Sequence, residues 1–213
     1  MEESLKNIID LDVTKFFTRA QALLLASLAK LSPAMVKDFK NGNLNLSDSV
    51  YYKRYEITGA GGLLDLLYND DAIKDGYGNL SKQKIKQGCA FMLDRITARI
   101  GYTAATNTTY TAANINYLPV ANIGTVDPII SNCELELDLA QQNIFQSPLN
   151  SFCQESVGIN GEKDGIILTA PKLIQDSQEL QMRLHVPQGS TIVGTTNRYF
   201  IEVALRGAEI RVK

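Results

Sequence analysis

Neither positive nor negative charge is in clear excess in this 213-residue sequence. Lysine and arginine together number 21 and aspartate and glutamate 23, which gives a formal net charge of −2. A surface that grips nucleic acid over a wide area needs clustered basic residues, so the composition argues against such a protein. The one basic cluster, Lys82, Lys84 and Lys86, predicts a solvated helix or turn, with phosphate binding as the alternative.

Metal-binding residues are also scarce. There is one histidine, and the three cysteines, Cys89, Cys133 and Cys153, include no Cys-x-x-Cys pair. The sequence therefore predicts no zinc site and no bound metal. The odd number of cysteines favours three reduced, buried thiols over a disulfide, which would leave one thiol unpaired.

Long hydrophobic runs are absent as well. The most apolar stretch, residues 20–29, is about half the length that a helix needs to cross a bilayer, so we expect no transmembrane segment. The acidic Met1-Glu-Glu start fits a secretory signal peptide poorly. A hydrophobic content of 45% with only 6 prolines is instead typical of a chain that folds around a core.

Alternation of apolar and polar residues is the clearest pattern that is present. Every second residue of 179–186 is apolar, and residues 198–206 carry apolar side chains on both faces, which predicts two strands. Gly207 is expected to permit a bend or bulge before the strand resumes at 209–212. Residues 133–139 alternate in the same way and predict a third, half-buried strand.

Three further stretches have less regular patterns. Residues 89–102 predict a long strand in which a shift of register marks a bulge. Residues 44–57 predict extended chain broken at 47–49, and residues 187–197 predict a loop with room for a short strand at 191–193. The predicted core of this β part contains Leu135, Leu137, Leu180, Met182, Leu184, Ile201 and Val203.

The first 43 residues have helical spacing instead. Apolar residues recur three or four positions apart from Lys15 to Leu31. Ser32-Pro33 then predicts the start of a second helix, which runs to Lys40 and stops at Asn41-Gly42. We therefore predict that residues 1–43 form a helical N-terminal arm.

The apolar surface of the first predicted helix is wider than one sheet face can cover. Such a surface, left in water, would mark an interaction site, so we predict that it packs against another chain. The alternative is that the second helix and the β part of the same chain cover it. The residues assigned to this assembly interface are Phe16, Phe17, Leu23, Leu24, Leu25, Leu28 and Leu31.

A glycine-rich stretch at residues 58–62 stands before an apolar segment. The pattern predicts a turn that opens a short helix near 61–68, whose first amides could hold an anion. The Gly-Lys-Ser/Thr of a P-loop is missing, however, and no βαβ pattern surrounds the glycines. We predict a plain turn at this position and no bound cofactor.

Catalytic signatures are missing from the sequence. Glu134, Glu136 and Asp138 share one strand face, where they are more simply a solvated or subunit-facing surface than a metal site or a catalytic pair. His185 has polar neighbours on its own strand face, which places it at a surface or interface. No Gly-x-Ser-x-Gly elbow accompanies these residues. We predict that the protein is not an enzyme.

The whole pattern predicts an α+β, mainly β fold: an antiparallel, jelly-roll-like β-sandwich over residues 44–213, preceded by the helical arm. From about residue 130 onward, the chain resembles the jelly-roll structural, capsid-type proteins of bacteriophage virions. The resemblance is one of layout. It rests on the strand at 133–139, Gln-Ser-Pro-Leu-Asn-Ser-Phe at 146–152, Leu-Thr-Ala-Pro at 168–171, Leu-His-Val-Pro at 184–187 and Phe-Ile-Glu-Val-Ala-Leu-Arg-Gly at 200–207.

This resemblance implies a virion component without catalytic residues, assembled in the host cytoplasm as a homo-oligomer or with other virion proteins. The competing prediction is a binding module of a fibre or spike, which would recognise host glycans through exposed Tyr and Asn residues of the 103–117 loop. The position of the helical arm distinguishes these two predictions. A shell protein is expected to bury it on neighbours, whereas a glycan reader is expected to place aromatic residues in a groove at a loop end.

Overall fold

Strands dominate the computed structural model, which describes residues 19–31, 33–58, 60–68, 73–120, 128–153, 165–191 and 196–212. The described helices are α1 (Arg19–Ala26), α2 (Pro33–Lys40) and α3 (Pro128–Ser131), with 3-10 turns at Leu28–Lys30 and Leu149–Cys153. The described strands are β1 (Leu44–Ile57), β2 (Ala60–Asp65), β3 (Cys89–Ala104), β4 (Leu118–Pro119), β5 (Glu134–Leu139), β6 (Gln142–Pro148), β7 (Gly165–Gln175), β8 (Leu180–Thr191) and β9 (Asn197–Val212).

The strands form two antiparallel sheets. In the first sheet β9 lies between β1 and β3, and the other edge of β3 pairs with β7 over residues 90–97 and with β4 at Arg99 and Ile100. The second sheet has the order β2-β8-β5-β6. Inner-face residues of both sheets belong to one hydrophobic cluster, which is a β-sandwich-like arrangement. The predicted core is confirmed, because this cluster contains Leu135, Leu137, Leu180, Met182, Leu184, Ile201 and Val203.

The bulge predicted in the long strand lies at Asp94 of β3. Pairing with both β7 and β9 shifts register between Leu93 and Arg95, so that apolar residues on either side of the bulge face the same core. Opposite the bulge on β9 is Gly207, where an added Cβ would overlap the carbonyl oxygen of Met92. A glycine is required here because the two backbones approach too closely for a side chain.

Three predictions for the β part are wrong. β1 runs unbroken through residues 47–49, because pairing with β9 satisfies the backbone there whatever the side chains are. The helix predicted near 61–68 is absent from the described residues. Ala60–Asp65 instead forms β2, which pairs with β8. Residues 187–190, predicted as a loop, extend β8 to Thr191 through an irregular pairing in which Gly189 has a φ of +79°.

The described helices α1 and α2 pack on the outer face of the first sheet. α2 ends at Lys40 and Gly42 follows it with a φ of +70°, as the sequence predicts. The first helix is shorter than predicted, since it ends at Ala26 and a 3-10 turn follows. Residues 1–18 lie outside the described residues, so the predicted arm is described only in part. The helix–sheet cluster consists of Ala20, Leu24, Leu28, Leu31, Met35, Ala90, Met92, Ala208 and Ile210.

Candidate interaction surfaces

Three leucines of the predicted assembly interface are buried within the chain itself. Leu24, Leu28 and Leu31 are at most 6% exposed. They belong to the helix–sheet cluster, together with Met92 of β3 and Ile210 of β9. For these three residues the geometry favours the intrachain alternative.

The other four residues of that interface differ in position. Leu25 is half-buried against the helix–sheet cluster, whereas Leu23 is 36% exposed. Phe16 and Phe17 lie outside the described residues. Of the described interface leucines, Leu23 is therefore the one that remains open to a neighbour, and contact with another chain stays a prediction.

Arg19 anchors α1 where two strands are irregular. Its Nη2 donates hydrogen bonds of 2.9 Å to the carbonyl oxygens of Leu168 and Thr169, in the part of β7 that β3 does not pair. Its Nη1 lies 3.4 Å from Oδ1 of Asp94, the bulged residue of β3. One guanidinium thus contacts carbonyl oxygens of β7 that have no partner on β3, and also the side chain of the bulged residue of β3.

Two glutamines connect the helical layer, which consists of α1, α2 and the 3-10 turn between them, to the first sheet. Gln21 Nε2 donates to Asp48 Oδ1 of β1 at 3.0 Å. Gln175 Nε2 of β7 donates to the carbonyl oxygen of Lys30 at 3.0 Å. The described part of the arm is therefore bound to its own sheet by polar contacts as well as by apolar packing.

Charged side chains cover the outer face of the second sheet. Arg183 Nη1 of β8 lies 2.9 Å from Asp138 Oδ2 and 3.3 Å from Glu136 Oε1, and its Nε lies 3.6 Å from Asp65 Oδ1. His185 Nε2 forms a hydrogen bond with Glu136. The fold thus brings together the imidazole and two of the carboxylates that the sequence singled out separately, and adds Arg183, which sequence reasoning missed.

The pKa of Glu136 is shifted away from the value that a carboxylic acid catalyst needs. The hydrogen bond with His185 is the main cause that lowers the pKa of Glu136, and Arg183 lowers it further. A carboxylic acid catalyst needs the opposite shift. Across the described ranges no group of three or more His, Cys, Asp or Glu residues is arranged to hold a metal ion. The arrangement instead favours a surface on which charged side chains pair with one another.

A shallow cleft lies between β3 and the 103–117 loop. Its volume is about 340 Å³, and the rings of Tyr102 and Tyr110 beside it are 48% and 41% exposed. Gly101 allows the loop to lie close to β3, because a Cβ there would come within 2.9 Å of the Asn116 carbonyl oxygen. The remaining lining residues are Ile100, Thr103, Ile115 and Leu118.

Arg198 of β9 holds this loop. Its Nη1 donates to the carbonyl oxygens of Asn107 and Tyr110, at 2.9 and 3.1 Å. Its Nε and Nη2 donate to the two carboxylate oxygens of Glu56, at 2.7 and 2.8 Å. Because a bidentate ion pair fixes the guanidinium, the loop backbone beside the cleft is held in place.

The glycine-rich stretch lacks the geometry of an anion site. Residues 60–65 form a strand, so no helix N-terminus opens there to offer its amides. Gly61 has a packing role, because an added Cβ would overlap the carbonyl oxygen of Pro187 on β8. This stretch therefore serves sheet pairing.

The described cysteine side chains are free thiols, as the sequence predicts. Cys89 and Cys133 are buried and unpaired with each other. Burial raises the pKa of the Cys133 thiol to about 12, and that of Cys89 is raised by burial too. Both are therefore poor nucleophiles at neutral pH. The Cys153 side chain lies outside the described side chains.

Comparison with known proteins assigns no family to the chain. No protein-family model matches it, and no curated protein matches it. Among the described residues, no helix is long and apolar enough to cross a membrane.

Proposed function

We propose that the protein is a non-enzymatic structural component of a bacteriophage virion, of the jelly-roll, capsid type. In this proposal it assembles in the host cytoplasm with further copies of itself or with other virion proteins. The observation that carries the proposal is the order in which the strands pair.

Apart from the two-residue β4, the described strands pair in a nested series. β1 pairs with β9, β2 with β8, β3 with β7 and β5 with β6. A chain that folds back on itself into four antiparallel pairs and is then wrapped gives the two four-stranded sheets of a jelly roll. The orders β1-β9-β3-β7 and β2-β8-β5-β6 are those that such wrapping produces. The nested pairing thus supports a jelly roll.

The surfaces support a structural role over a catalytic one. Jelly rolls serve as shells and as lectins, so the fold alone does not choose. On the second sheet, however, Arg183 forms ion pairs with Glu136 and Asp138, so these charged groups neutralise one another. We assign the assembly contact to Phe16, Phe17 and Leu23, because the other leucines of the predicted interface are at least partly covered by their own chain.

Light scattering of the intact chain and of a chain lacking residues 1–18 tests the assembly role. This deletion removes Phe16 and Phe17 but keeps the described helical layer on its sheet. We expect the intact chain to form species whose mass grows with concentration. The shortened chain should keep the β-sheet signal in circular dichroism but remain monomeric, because it has lost Phe16 and Phe17 of the proposed apolar contact.

The double substitution Phe16→Ser and Phe17→Ser repeats this test in the intact chain. Val50→Ser is the matched control, since Val50 is an exposed apolar residue on β1. Assembly should be lost in the double variant and kept in the control. An intact chain that stays monomeric at high protein concentration would contradict the assembly role.

A glycan-binding module of a fibre or spike is the second candidate, favoured by the cleft beside the 103–117 loop. Exposed aromatic rings of Tyr102 and Tyr110 offer apolar faces for the C–H side of a sugar ring. Thr103 and Asn116 in the lining offer hydroxyl and amide groups for its hydroxyls. The contacts of Arg198 hold the cleft preformed, which reduces the entropy lost on binding.

Saturation-transfer NMR with a panel of soluble glycans tests this candidate. Tyr110→Ala should abolish the transfer, because it removes one of the two rings. Tyr68→Ala, which truncates a ring of similar exposure outside the cleft, should leave it unchanged. If no glycan of the panel gives transfer with the intact chain, this second candidate is withdrawn.

A further inference from the structure

Three lysines lie on the exposed side of a segment whose other side is buried. Lys82, Lys84 and Lys86 are exposed, whereas Gln83 and Ile85 between them are buried. The alternation places the three ammonium groups on the solvent side of one short stretch of chain. This arrangement is more specific than the solvated turn that the sequence predicts.

A strained turn fixes the arrangement. Lys82 and Gln83 have φ values of +50° and +58°, in the left-handed region that non-glycine residues seldom adopt. The Lys84 amide donates to the Ser81 carbonyl oxygen at 2.9 Å, which closes a two-residue turn where Asn-Gly is usual. Gln83 Nε2 holds the turn by donating to the Leu67 carbonyl oxygen at 3.1 Å. Backbone strain of this kind concentrates at functional sites.

The same lysines line a cleft of about 690 Å³, within the range of about 300 to 1,000 Å³ for ligand pockets. Ser81 and Ser177 add hydroxyl groups to its lining, and Asp176 is the one acidic residue among the described lining residues. The Asp176 carboxylate accepts a hydrogen bond of 2.6 Å from the Gly88 amide. No ion pair joins any of the three lysines to a carboxylate of the described residues. The described lining of the cleft therefore carries excess positive charge.

We propose that this cleft binds the phosphate groups of a polyanion, either a free polyphosphate or the backbone of a nucleic acid strand. Lysine ammonium groups donate charge-assisted hydrogen bonds to phosphate oxygens from a flexible stem, so three of them can converge on neighbouring phosphates. The described lining contains no aromatic ring, so recognition rests on phosphate and not on base stacking. The inference does not depend on the assembly role.

The test compares the intact protein with the variant K82Q/K84Q/K86Q. The matched control K30Q/K37Q/K40Q removes the same number of positive charges from exposed lysines of the helical layer. Sodium tripolyphosphate is titrated by calorimetry, and a labelled thymidine strand of about 20 nucleotides by fluorescence anisotropy, both at low salt. The parent and the control should bind at least one probe, and the cleft variant should bind it at least about tenfold more weakly.

The two probes distinguish the sources of phosphate. Binding of tripolyphosphate alone assigns a free polyphosphate. Binding of the strand, with a salt dependence whose logarithmic slope falls by about 2 in the cleft variant, assigns a nucleic acid backbone. Asp176→Asn should tighten binding several-fold, because the amide oxygen still accepts the Gly88 N–H while the negative charge is gone. Equal losses in the two triple variants, or no binding of either probe by the parent, would overturn the proposal.

Discussion

The two sheets share one core, but their outer faces differ. On the first sheet, Ala90, Met92, Ala208 and Ile210 are at most 3% exposed because the helical layer covers them. On the second sheet, the side chains of Arg183 and His185 on the outer face are 25% and 40% exposed, and the two β5 carboxylates that pair with them are at most 14% exposed. The contrast shows two ways to complete a sandwich: an apolar face requires a covering layer, whereas a face of paired charges remains available to water or to a partner.

The largest expected effect comes from the core that both sheets share. Leu184→Asp places an unpaired carboxylate where the side chain is fully buried, so we expect the chain not to fold. Circular dichroism and solubility check this outcome. A soluble and fully folded Leu184→Asp protein would contradict the assignment of one core between the sheets.

The next effect tests the covering layer. Leu24→Asp should lower the free energy of unfolding by about 3 kcal/mol or more, because it buries a charge between α1 and the first sheet. Leu23→Asp, on the adjacent and exposed position, is the matched control and should change it by less than about 1 kcal/mol. Urea denaturation measures both. Similar effects of the two substitutions would show that the helix does not pack as described.

A smaller effect is expected on the charged face. Arg183→Ala leaves Glu136 and Asp138 beside each other without their shared cation, and should lower the free energy of unfolding by about 1 kcal/mol. Lys37→Ala on the exposed side of α2 should change it by no more than about 0.5 kcal/mol. Added salt should reduce the effect of Arg183→Ala, because screening weakens the pairing. An Arg183→Ala protein as stable as the parent at low salt would show that these ion pairs do not stabilise the fold.

The smallest effect is a pH dependence on the same face. The pKa of Glu136 in the folded chain lies below its ordinary value of 4.5, so its contribution to stability is present above that value and is lost as the pH falls through the folded-state pKa. Glu136→Gln should therefore flatten the decline of the unfolding free energy below about pH 4.5. Urea titrations at several pH values measure this slope. An unchanged slope would show that Glu136 does not contribute to it.

Glu209 limits the size of that change. Burial acts to raise its pKa, but hydrogen bonds from Tyr51 and Arg211 lower it overall. Its contribution is lost over the same acid range, so Glu136→Gln removes only part of the slope. The double variant with Glu209→Gln should remove more.

Sequence reasoning succeeded where the signal is local. The alternation in 133–139 and 179–186 depends on residues two apart, and it identified β5, β8 and their core leucines. Even the bulge at Asp94 left a trace, since the apolar positions of β3 shift by one residue across it. The wrong predictions also have physical causes. The apolar run after Gly62 suits a short helix, and only pairing with β8 makes it a strand.

The surfaces were harder to predict because their contacts are long-range. Arg19 contacts Leu168, 149 residues away, and Arg198 contacts Glu56, 142 residues away. Neither pair carries a sequence signal, since each depends on how strands register in space. His185 and Glu136 were both noted, yet their contact follows only from the pairing of β5 with β8.

The position of β9 has a consequence for the newly made protein. This strand separates β1 from β3, yet it leaves the ribosome after every other strand of its sheet. Until then β1 and β3 have no partner between them, and such non-local pairing closes slowly. Unpaired strand edges on neighbouring nascent chains can join each other during this interval. Any product of premature termination before residue 197 therefore lacks the strand on which both depend, and we expect it to be degraded or aggregated instead of retained as a partly folded protein.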